Sequence, residues 1–130
     1  GFVSAHQMAI SQLAIEYCSV LVDNNGTITR EDYFPGFFSS GLPPESAGTA
    51  FDTITQRDLV IMPLINRVMN TGLTVQPDPA AVTGELYNLI LILTDCATGP
   101  APTCATPTRT EEIVKASCAA ILGSAAMLLQ

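Results

Sequence analysis

Thiols, carboxylates and one imidazole are the groups in this sequence whose spacing could do chemistry, and the thiols come first. Cys18, Cys96, Cys104 and Cys118 are the four cysteines. None stands in the CxxC or CxxH spacing that a structural zinc site or an attached haem requires, which leaves disulfide formation as their principal chemistry. Cys96 and Cys104 bracket Ala97-Thr-Gly-Pro-Ala-Pro-Thr103, where a glycine and two prolines cannot continue a helix and must turn the chain back. That spacing favours a local bridge between Cys96 and Cys104, and pairs Cys18 with Cys118 on two apolar helix faces. Four cysteines permit three connectivities, and the competing reading is four buried thiols.

A second constellation is Leu21-Val-Asp-Asn-Asn-Gly-Thr-Ile-Thr-Arg-Glu-Asp32, which follows a helix and resembles an EF-hand calcium loop. With Gly26 at the turn glycine, Asp23, Asn25, the Thr27 carbonyl and Asp32 fall at ligand positions 3, 5, 7 and 12, and Ile28 takes the hydrophobic position 8. Position 1 would be Leu21, which cannot ligate, and position 12 is a shorter Asp in place of Glu. An Asn-Gly turn after a helix is therefore the stronger expectation, with calcium binding as the alternative.

Catalytic chemistry finds little support. His6 is the single histidine, near a chain end, and Met8 two residues on points to another side of the helix, so haem ligation by that pair is not expected. Nothing resembles GxSxG, and no GxGxxG or GxxxxGK[ST] cradle for a nucleotide exists. Glu31 with Asp32 and Glu111 with Glu112 are adjacent carboxylates whose side chains diverge, and the second pair suits the N-terminal charge preference of a helix. The expectation is a protein that is not an enzyme.

The elements that must position these groups follow from composition and periodicity. Of 130 residues 48% are apolar and only 13% charged, enough to build one domain with a core and too little charge for disorder. The formal charge of -7 and the scattering of Arg30, Arg57, Arg67, Arg109 and Lys115 argue against a nucleic-acid partner. From His6 to Val22, Ile10, Leu13, Ala14, Tyr17, Cys18 and Leu21 recur at three and four, predicting an amphipathic helix that Ser4 would cap. Residues 24 to 50 read as a long loop. Its Tyr33, Phe34, Phe37 and Phe38 could line a groove for a protein partner or, the preferred reading, roof the bundle.

A second helix is expected from about Ala50 to Asn70, with Phe51, Ile54, Leu59, Met62, Ile65 and Met69 inward, kinked or divided at Pro63 and ended at Gly72. Asp78 and Pro79 would launch a third through Val82, Leu86, Leu89, Ile90 and Leu93 to Cys96, the most buried of all because Leu89 to Leu93 is apolar on every side. Thr108 and Glu111 have capping-box spacing and would open a last helix facing inward with Val114, Cys118, Ile121, Leu122, Ala125 and Leu129. The fold class is all-α: a disulfide-stapled bundle of about four antiparallel helices with one long aromatic-bearing loop. Ala116 to Leu129 is too short to span a bilayer, so no transmembrane segment is expected.

Five stretches together resemble a helical segment of large secreted gammaproteobacterial proteins that carry LamG or concanavalin-like domains: His6-Gln-Met-Ala-Ile-Ser-Gln-Leu-Ala-Ile-Glu-Tyr-Cys18, Phe34-Pro-Gly-Phe37, Arg57-Asp-Leu-Val-Ile-Met-Pro-Leu-Ile-Asn-Arg67, Gln76-Pro-Asp-Pro79 and Lys115-Ala-Ser-Cys-Ala-Ala-Ile-Leu-Gly-Ser124. The resemblance implies a secreted, extracellular or periplasmic setting and an accessory module beside other domains or protein chains at the cell surface. It assigns no functional residue. Disulfides point to the same compartment, while residues 1 to 20 lack the pattern of a signal peptide, so a mature or excised piece of a longer protein is expected. The functional expectation is a non-enzymatic structural or protein-interaction module; the alternatives are a calcium-dependent binding module at 21–32 and an apolar-ligand carrier using space around Pro63 and the aromatic loop.

Overall fold

The computed structural model describes residues 5–24, 29–39, 42–68, 79–94 and 106–127, and within them the chain is all-α. Among the described residues there are four long helices, α1 (Ala5–Val22), α4 (Ile54–Val68), α5 (Pro79–Thr94) and α6 (Pro107–Met127), and two one-turn helices between α1 and α4, α2 (Arg30–Tyr33) and α3 (Ala47–Ala50). Among the described residues there is no strand, only an isolated bridge between Pro35 and Phe38. Ser4, Met69, Gly72, Asp78, Leu129 and the cysteines Cys96 and Cys104 lie outside the described residues, as does the side chain of Ala125.

Helix α6 is the hub. It packs most extensively on α1 and also touches α3, α4 and α5, and α4 and α5 touch each other. Cys18 meets Cys118, while Asp23, further along α1's direction, meets Lys115, earlier on α6; the two helices therefore run antiparallel. The inner face of α6 carries Val114, Cys118 and Ile121 as expected, joined by Ile113 and two buried polar residues. Ser117 donates to the Ile113 carbonyl at 2.9 Å and Thr110 to the Glu45 carbonyl at 2.5 Å, so neither hydroxyl enters the core unpaired.

Several boundaries differ from expectation for reasons visible at the caps. α4 begins at Ile54, after the expected Ala50, because Thr53 and Gln56 form a reciprocal capping box: the Gln56 amide donates to Thr53 Oγ1 at 3.2 Å and the Thr53 amide to Gln56 Oε1 at 2.9 Å. α6 begins at Pro107 with Thr106 as cap, its hydroxyl oxygen accepting from the Arg109 amide at 3.2 Å. Thr108 is already the second residue of the helix, because proline, lacking an N–H, fits the first helical position and moves the cap before it. Just past the end of α1, Asn24 has a φ of 63°, the left-handed conformation that asparagine tolerates after a helix terminus.

The buried faces are also corrected. α1 buries Ala14, Cys18, Leu21 and Val22, leaving Leu13 at 70% and Tyr17 at 46% exposure. Those two flank the stripe, and α1 has α6 as its main neighbour, so one seam and not the whole apolar arc is covered. α4 runs through Pro63 without division and buries Val60, Ile61, Leu64 and Ile65, while Ile54 and Met62 face outward. α5 buries only Leu86 and Ile90 fully, with Leu91 and Ile92 exposed, and is not the most buried helix. The long loop contributes more core than α5 does, through Tyr33, Phe34 and Phe38, joined by Phe51 just beyond its end. Each such aromatic, removed from water, is worth roughly 1.5–3 kcal/mol.

Candidate functional site

Two places gather polar groups. One is the junction where α1, α2 and α6 meet. Thr29 caps α2 by accepting from the Asp32 amide at 3.2 Å, and this turn delivers Arg30 inward. Arg30 Nη1 donates to the Val22 carbonyl at 3.1 Å, one of the orphan acceptors at the end of α1, and to Glu111 Oε2 at 2.7 Å. Its guanidinium lies 4.6 Å from the centre of the Phe38 ring. Asn24 Oδ1 accepts from the Arg30 amide at 3.0 Å, and Lys115 Nζ reaches Asp23 Oδ1 at 2.7 Å. The net result is a helix end closed by side chains from three elements.

That geometry bears on the calcium-loop residues. Asp23 Oδ1 is paired with the Lys115 ammonium, so a cation at this carboxylate would meet a positive charge already beside it. Asp32 is exposed in the first turn of α2, while Asn25 and Thr27 lie outside the described residues. Among the described residues no group of three His, Cys, Asp or Glu side chains is arranged to hold a metal ion. The side chain of His6 lies outside the described set.

The aromatic residues that could have anchored a partner are placed inside. Tyr33, Phe34 and Phe38 are buried, and Phe37 keeps part of its surface. Phe37 packs edge-on against Phe38 at 4.9 Å between centroids and tilted against Phe51 at 5.2 Å. Arg67 lies over Tyr33 at 4.5 Å. Burial pushes the Tyr33 hydroxyl above its ordinary value, with Tyr17 adding to the rise and Arg67 opposing it.

The second place is a hollow of about 270 Å³ beside Phe37, bounded by Gly36, Ser39, Leu42, Pro43, Pro44, Glu45, Ala50, Gln56 and Leu59. It falls below the roughly 300–1,000 Å³ of pockets that enclose drug-sized ligands, and Pro63 is not part of its wall. On α4 and α5, Tyr87 donates its hydroxyl to Asp58 Oδ1, and that bond is the main reason its pKa rises.

All five cationic side chains of the sequence are engaged within the fold: Arg30 and Lys115 as above, Arg57 on the Phe51 and Asp52 carbonyls, Arg67 on Tyr33, and Arg109 on the Leu93 carbonyl and Glu112. The motif reading of 21–32 singled out the oxygens of this region and passed over Arg30, whose signal was present as a lone cation following a helix stop and a Thr cap. Compared with protein-family models, with curated proteins and with solved structures, the chain finds no match in any of the three.

Proposed function

We propose that the chain is a non-enzymatic module of a secreted or cell-surface protein, a bundle of four long helices stapled through Cys18 and Cys118, serving as structural support or as a contact for other protein domains. The observation that carries this reading is the division of labour among side chains. Cations are turned inward to close helix ends and cover aromatic rings, while Leu13 and Tyr17 on α1 and Leu91 and Ile92 on α5 are left facing out. Outward apolar side chains of this size on two helices are what a contact surface between domains requires. The thiol pair, at disulfide distance with Cα atoms 5.8 Å apart, fits an oxidising compartment.

The test places a photo-reactive amino acid at Leu13 or Ile92 in the protein as it is secreted, with the exposed Asn66 of α4 as a solvent-facing control. Crosslinks to neighbouring protein from the first two positions, reduced by Y17S or L91S respectively and absent from the control, are expected. Equal crosslinking from all three positions, or none from any, would contradict the reading.

A further inference from the structure

We propose that the hollow beside Phe37 is a binding site for a small organic cation, an ammonium or guanidinium group on a short apolar stem. Its size admits one side chain or a small amine and nothing as large as a lipid. Among the described residues of its wall Glu45 is the only ionisable one, exposed and negative, so these residues offer charge of a single sign. Beside that carboxylate the wall supplies Phe37, Leu42 and Leu59 for a hydrocarbon stem and Ser39 for a hydrogen bond. A cation prefers the face of an aromatic ring, and the same aromatic cluster already holds two of the chain's own cations this way, Arg30 on Phe38 and Arg67 on Tyr33. Among the described contacts Phe37 is a ring of that cluster with no cation over it.

The wall is also built in advance. The carbonyl of Glu45 is pinned by the hydroxyl of Thr110, a fully buried residue of α6, at 2.5 Å. Pro43 and Pro44 restrict the backbone just before it, and Gln56 is held by the capping box with Thr53. Gly36, at φ of 85°, makes the turn that brings Phe37 to the rim, with Leu59 close behind it. A hollow whose walls are fixed from three elements loses little entropy on filling. Asp52, two residues beyond the wall residue Ala50, adds an exposed carboxylate on a chain of formal charge -7.

This site stands apart from the outward faces of α1 and α5, and its test uses the isolated chain and defined probes. Methyl and aromatic NMR signals of Leu42, Leu59 and Phe37 are followed while n-butylamine, a capped Gly-Lys-Gly peptide or the matching capped Gly-norleucine-Gly peptide is added. Saturable millimolar binding of either cation is expected, weakened about fivefold or more by E45Q and by high salt, with no saturation by norleucine. Tighter binding of the peptide assigns the site to a partner's side chain, and tighter binding of the amine to a free metabolite. No saturation by either cation, equal binding of norleucine, or unchanged binding in E45Q would overturn the proposal. E45Q keeps the carbonyl that Thr110 holds; if it melts lower than the parent, the salt and norleucine comparisons decide alone.

Discussion

Arg30 is the residue on which the α1 terminus depends. It satisfies the Val22 carbonyl, neutralises the partly buried Glu111 and covers Phe38. Removing it leaves an acceptor and a carboxylate without a donor, so R30A is expected to lower unfolding free energy by about 2–3 kcal/mol in chemical denaturation. R30K should recover less than half of that, because an ammonium lacks the flat guanidinium plane that covers Phe38 while one of its nitrogens bonds the two acceptors. A loss under about 0.5 kcal/mol for R30A would place the junction outside the stability of the fold. Tyr33 makes a pH prediction. Its pKa is raised in the fold above the ordinary 10.0, so its contribution is intact below about pH 10 and is lost as pH climbs through the raised value. Y33F should therefore lose less stability than the parent between about pH 9 and pH 11, followed by melting temperature. Calcium at millimolar concentration should leave the melting temperature unchanged, since Asp23 is held by Lys115; a rise of several degrees would restore the calcium-loop reading.

At the scale of the element, the caps make the sharpest prediction. T53A and T106A should each cost about 1 kcal/mol, because each removes the oxygen that accepts an orphan helix amide. T108A, an exposed position inside the first turn of α6, should be nearly neutral. A large loss in T108A with none in T106A would return the cap to the capping-box position expected from spacing. Much of α6 was legible in the sequence because Val114, Cys118 and Ile121 recur on one clean face with small residues between them. α1 and α5 were less legible: Leu13 and Tyr17, or Leu91 and Ile92, are apolar on more than one side, and periodicity alone cannot say which side a neighbour covers. The long loop read as irregular because its two helices are single turns, too short for any periodic signal. The hollow beside Phe37 was not legible either, since it exists only where that loop passes α4.

At the scale of the molecule, Cys18 and Cys118 stand at disulfide distance, 100 residues apart in sequence. A bridge closing so long a loop restricts the unfolded chain, and its reduction is expected to cost about 3–5 kcal/mol and to lower the melting temperature by about 10–20 °C. α6 has the most to lose, because it is the helix against which α1, α3, α4 and α5 all pack. The most direct measurement of the whole arrangement is a tryptic map of unreduced protein. Cleavage after Arg30, Arg67, Arg109 and Lys115 puts Cys18 in the peptide 1–30, Cys118 in 116–130, and Cys96 with Cys104 together in 68–109. The account predicts that 1–30 and 116–130 travel as one mass and separate on reduction. Recovery of either as a free thiol, or linked to 68–109, would contradict it.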